Sequence, residues 1–211
     1  MMEIYILKAN GIFVLLYAFY WIIMSHDTFF SYRRFALMGI IGMSILLPFL
    51  NFPSVFQENI AAKSIAYANM MLPVVPVHIF PAVLTWNGVV SDVYLFGVAI
   101  LAIRFLGQLV SMAHLVHHTP LQKVEGVSIH LLPDGQGPFS FMQWIFIEPY
   151  SQTPEQLHDI MLHEQTHAHQ WHSVDVLVSE MFCIFCWFNP FSWILKREVG
   201  LNLEYLADES V

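Results

Sequence analysis

His163, Glu164 and His167 are the residues of this 211-residue chain whose types and spacing most directly suggest chemistry. Two histidines four positions apart project from one face of a helix, where their ring nitrogens can share one zinc ion. The glutamate that follows the first histidine then lies beside the metal and can take a proton from bound water. The same HExxH spacing also fits an ordinary polar helix face, so its meaning turns on a third ligand. One extended form of the motif needs a Gly three residues and a His six residues beyond the second histidine. Those positions hold Gln170 and Ser173, which excludes it. On a continuous helix His169 and His172 point away from the His163 and His167 face, so they read as surface residues or as supports behind the ligands. Glu204 and Asp208, four residues apart on a later segment, share a helix face. Glu204 is the candidate third ligand. Asp208 can accept a hydrogen bond from a ligand histidine and fix its tautomer.

The flanking sequence supplies part of the scaffold for these residues. Thr153, Pro154 and Gln156 form a helix start, with a hydroxyl cap, proline at the first helical position and a capping-box glutamine. Leu157, Ile160 and Met161 fall on nearly the same face as the histidines, so the pair is expected at the edge of a packed core. Upstream, residues 127–132 read as a strand, residues 133–136 as a turn, and residues 139–147 as a second strand, rich in aromatic and β-branched types. A β-hairpin is the expected product.

The rest of the chain is a membrane protein by composition. Hydrophobic residues make up 57%, charged residues 11%, and the mean hydropathy is +0.58, whereas soluble domains carry about 25% charged residues. A formal charge of −8 with only eight Lys and Arg excludes a nucleic-acid partner. Three transmembrane helices are expected at about residues 4–25, 34–50 and 88–110, within a membrane domain of residues 1–111. A signal peptide is the competing reading of the first, but no basic region precedes it, Lys8 lies inside it, and no small-residue cleavage site follows. Prolines at 53, 73, 76 and 81 make residues 51–87 an outer loop rather than a straight span. Arg33 and Arg34 fall in the short loop between the first two spans and place it on the cytoplasmic side by the positive-inside rule, with the amino terminus outside. Arg104, deep in the third span, reads as snorkelling to the inner headgroups. Residues 112–211 then form a cytoplasmic domain, and nine of the eleven histidines lie between 114 and 172. The apolar segment 174–195 is interrupted by Asp175, Glu180, Asn189 and Pro190, so it is expected to lie against or dip into the membrane. Cys183 and Cys186 within it read as small core residues rather than a metal pair.

Taken in order, His163 to His167, then His172, Ser173 and Asp175, then Trp187, Phe188, Asn189, Pro190 and Trp193, and finally Glu204 to Asp208 resemble the membrane-embedded zinc metallopeptidases of the BlaR/MecR type. These are the antirepressor peptidases of bacterial β-lactam sensor-transducers. The arrangement of spans and the run from Gly137 through Pro138, Phe139 and Ser140 to Phe141 resemble that family as well. The resemblance implies a multi-pass protein of the bacterial inner membrane. Its fold would be an α-helical membrane domain followed by a small α+β gluzincin domain facing the cytoplasm. His163, His167 and Glu204 would bind one zinc ion, and Glu164 would be the catalytic base. The chain departs from the family in carrying no penicillin-binding sensor domain, so antibiotic sensing does not carry over. Such proteins usually continue beyond the point corresponding to Val211 into a further span and a variable region.

The expected activity is zinc-dependent hydrolysis of peptide bonds in transmembrane signalling, with a cytoplasmic regulatory protein such as a repressor, or the protein itself, as substrate. A non-proteolytic signalling or scaffold protein with a structural zinc site is the alternative. Glu164 speaks against it, because a structural site needs no base and is usually closed by a fourth protein ligand. A transporter would call for paired intramembrane charges or repeated halves, which Lys8, Asp92 and Arg104 do not supply.

Overall fold

The computed structural model describes residues 2–24, 28–50, 86–124, 126–133, 136–148 and 153–209. It is mostly helical, with three long apolar helices, a small four-stranded sheet and three further helices. The expected outer loop at residues 51–87 lies outside the described residues, apart from 86 and 87, which begin a helix.

Helices α1 (Met2–Met24), α2 (Phe30–Leu46, continued by a 3-10 turn Leu47–Phe49) and α3 (Trp86–His118) are each long and apolar enough to cross a membrane. α1 and α2 run antiparallel, since the Tyr5 hydroxyl donates to the Ile45 carbonyl (2.8 Å) at one end while Arg33 Nε donates to the Tyr20 hydroxyl (3.1 Å) towards the other. α2 begins earlier than the sequence suggests, so Arg33 and Arg34 are its fourth and fifth residues rather than part of a loop. α3 also continues past the expected boundary at 111, because nothing breaks the helix before Thr119 and Pro120. Arg104 is exposed on its surface.

The sheet corrects the expected hairpin. Strands β1 (Leu121–Val124), β2 (Val127–Leu131), β3 (Phe139–Phe141) and β4 (Trp144–Ile147) are ordered β1-β2-β4-β3. Residues 139–147 are not one strand. They fold back at Met142 and Gln143, so β4 returns parallel to β2, with Ile129 beside Ile145, and β3 becomes an edge strand. Met142 takes φ +53, a conformation that costs a non-glycine residue about 1 kcal/mol or more. Its N–H is held by the Ser173 hydroxyl at 2.8 Å, a tertiary contact that leaves no local sequence signal. Ile129, Ile145 and Ile147 pack on Met161 and Ala168 of α4 (Pro154–His169), so the sheet supports the HExxH helix from behind. α4 starts with the Thr153 and Gln156 capping box.

The apolar segment after it forms a helical hairpin, α5 (His172–Phe185) and α6 (Pro190–Asp208), tied across by Lys196 and Glu180. It packs into one core with α1 and α2, through Phe13, Tyr17, Leu37, Phe182, Leu195 and Leu203. Its turn meets α1 at Asn10, where the Asn189 amide donates to the Asn10 side-chain oxygen (2.9 Å). Asn10 is fourteen residues from Met24, or about 21 Å along the helix. At this turn polar groups are satisfied locally. The Phe185 carbonyl accepts from the Tyr94 hydroxyl (3.0 Å), the Trp187 carbonyl from the Trp193 indole (3.0 Å), and the Cys186 and Asn189 carbonyls from Ser192 Oγ (3.0 and 2.7 Å). α3 docks beside it at Gly97, where an added Cβ would collide with the Trp187 ring. Cys183 and Cys186 are both buried in this packing.

Candidate metal centre

His163 and His167 lie one turn apart on α4, and α6 brings Glu204 to them from the opposite side. The two Nε2 atoms are 3.1 Å apart, and Glu204 Oε2 is 3.5 Å from the first and 3.8 Å from the second. Bonds of about 2.05 Å at tetrahedral angles place neighbouring ligand atoms about 3.3 Å apart. The three atoms therefore outline one face of a tetrahedron of the right size, and the group could hold a metal ion.

The surrounding hydrogen bonds specify where the protons sit. His163 Nδ1 faces Asp208 Oδ1 at 3.2 Å, so this nitrogen donates and Nε2 keeps its lone pair. His172 Nε2 meets the Gln170 side-chain oxygen at 3.2 Å, and His172 Nδ1 meets His167 Nδ1 at 2.8 Å. One assignment satisfies both contacts: His172 donates to Gln170 and accepts from His167, which frees His167 Nε2. Two imidazole lone pairs then face each other across 3.1 Å, an arrangement that a shared cation stabilises and that is repulsive without one. The donor set of two neutral nitrogens and a carboxylate suits zinc.

His172 is more than a surface residue. The chain leaves α4 at Gln170, Trp171 takes φ +56, and α5 starts at His172. The expectation of a continuous helix through this point fails, and the break turns His172 inward to 2% exposure. Burial first, then the neighbouring His167 and Arg34, push its pKa down to about 3. Burial also lowers the pKa of His167, with Glu204 opposing the shift. Both rings are thus held neutral. His169 takes no part in the ligand group.

Glu164 is 7% exposed and lines the same cleft, whose volume is about 810 Å3. Burial raises its pKa, against the lowering effect of a hydrogen bond with Ser140. Edge strand β3 forms one wall through Phe139, Ser140 and Phe141, and Val176, Leu177 and Leu203 form an apolar wall beneath. The Glu204 side chain is 60% exposed, so the ligand face opens outward rather than being closed by a further protein group.

The ion pairs behind the site were not legible in the sequence. Arg33 pairs with Glu198 on α6 (3.2 Å) and Arg34 with Asp175 on α5 (2.5 Å). Read as sequence, the arginines mark only the sidedness of a loop, and nothing in their spacing names partners 165 and 141 residues away. No protein-family model matches this chain, and no curated protein matches it significantly.

Proposed function

We propose that the protein is a membrane-embedded zinc-dependent endopeptidase of the BlaR/MecR type, cutting a cytoplasmic regulatory protein or itself in transmembrane signalling. The observation that carries this reading is the tetrahedral-sized face formed by His163, His167 and Glu204, with the buried Glu164 in the same open cleft. Zinc held there would supply a bound water with a pKa near 7 and a Lewis acid for the scissile carbonyl. Glu164 takes the proton of the attacking water and passes it to the leaving amine as the C–N bond breaks. Its raised pKa suits a group that must hold that proton between the two transfers. His172 and Asp208 keep the ligand nitrogens deprotonated and aimed. An extended peptide fits along the outer edge of β3, where backbone pairing holds it with little demand on its sequence.

The site lies at the end of the α1 and α2 pair that carries Arg33 and Arg34. By the positive-inside rule it faces the cytoplasm, with the amino terminus outside, and the resemblance makes the membrane a bacterial inner one. The α5–α6 hairpin dips into the bilayer from that side. Glu164→Gln tests the chemistry: cleavage of a peptide library, or self-cleavage, should fall by about 100-fold or more while zinc content and helicity stay unchanged. Zinc retained together with undiminished cleavage would remove Glu164 as the base. No cleavage by the wild type, with zinc bound, would favour the structural-site scaffold.

A further inference from the structure

Two consecutive arginines open α2, and each grips a different part of the ligand scaffold. Arg33 reaches Glu198 on α6, the helix that carries Glu204. Arg34 Nε donates to Asp175 Oδ2 (2.5 Å), and a terminal nitrogen of Arg34 donates to the Gln170 carbonyl (2.8 Å). Gln170 and Asp175 flank the left-handed turn at Trp171, a strained conformation for a bulky residue that persists only where its surroundings over-determine it. The Arg34 and Asp175 side chains are 21% and 11% exposed, so water screens the pair far less than it would a surface pair. From this same junction His172 orients His167 and Ser173 holds the Met142 turn beside β3. Six residues, 170–175, thus touch a candidate metal ligand, the wall of the cleft and the start of a helix long and apolar enough to span a membrane.

We propose that Arg34 is a positioning residue for the metal site: it fixes the 170–175 junction so that His172 aims His167, and so couples the setting of α2 in the membrane to the metal affinity of the site. The inference rests on the metal reading above, and it adds a route by which a displacement of α2 reaches a ligand without passing through the sheet. Cobalt titration of the full chain in detergent tests it, followed by the visible d–d absorption that reports ligand geometry. Arg34→Ala and Asp175→Asn should each weaken cobalt binding about 10-fold to 100-fold, as loss of outer-shell support does, and should alter the band shape. The double variant should bind no worse than the weaker single, because both act through one junction. Folded single variants with wild-type affinity and spectrum, or losses that multiply in the double, would overturn the proposal. Where Arg34→Ala does not fold, Arg34→Lys keeps the charge beside Asp175 but loses the fork to the Gln170 carbonyl, and it is read by the same criteria. A wild type that binds no cobalt would overturn the metal reading, an outcome distinct from unchanged binding in the variants.

Discussion

His172 shows how much of this site depends on protonation held by packing. Burial holds its pKa in the fold down at about 3, whereas in the unfolded chain it takes a proton near the ordinary histidine value of 6.5. Between those values the unfolded state binds more protons, so His172 contributes stability above about pH 6.5 that is lost as the pH falls towards 3. His172→Asn keeps an oxygen that can accept from His167 but removes the titration. Denaturation midpoints of the metal-free proteins should therefore fall less steeply with acidification in the variant, across that window. Equal slopes in the two proteins would show that His172 is not held neutral. At this scale the sequence showed the ligand types and their spacing, because the i and i+4 geometry of a helix is local. It left His172 open between a surface residue and a support behind the ligands, because the outcome depends on a helix break at Trp171 without the glycine that usually marks one.

Among the elements, β3 carries the most functional weight relative to its length. Three residues form the edge strand, and Ser140 both belongs to it and hydrogen-bonds Glu164. Ser140→Ala removes the hydroxyl alone, whereas Ser140→Pro also removes a backbone N–H. If peptides pair with this edge, the proline variant should raise KM well beyond the alanine variant, with zinc unchanged in both. Matching kinetics for the two would remove strand pairing as the mode of binding. The helix start at Thr153 and the break at Asn189 and Pro190 could be read from local capping chemistry, and both are present. The parallel pairing of β2 and β4 could not, because the reversal at Met142 lacks the Gly or Asn expected there and is stabilised by Ser173, thirty-one residues away. Long-range contacts decided the sheet, and single-sequence patterning carries no record of them.

Across the whole molecule, three apolar helices and a helical hairpin packed against them carry the candidate metal group, and hydrophobic composition alone announced the apolar part of that scaffold. α3 joins that scaffold through Tyr94 and through one small residue. Gly97 lets the Trp187 ring approach the α3 backbone, and the indole donates to the Tyr94 carbonyl at 3.3 Å. Gly97→Val should push α3 away from the hairpin and shift the tryptophan emission. A paired-cysteine cross-link between positions 94 and 185 should form less readily than in the parent. Cross-linking at the parental rate would mean that the helix docks without that approach.

His163 and His167 on one helix and Glu204 on another make up the proposed three-ligand metal centre, and zinc per chain in the detergent-purified protein decides whether it forms. About one zinc in the wild type, with a marked loss in Glu204→Ala at unchanged helicity, is the predicted result. A folded wild type without zinc, or a Glu204→Ala variant that keeps its full complement, would contradict it.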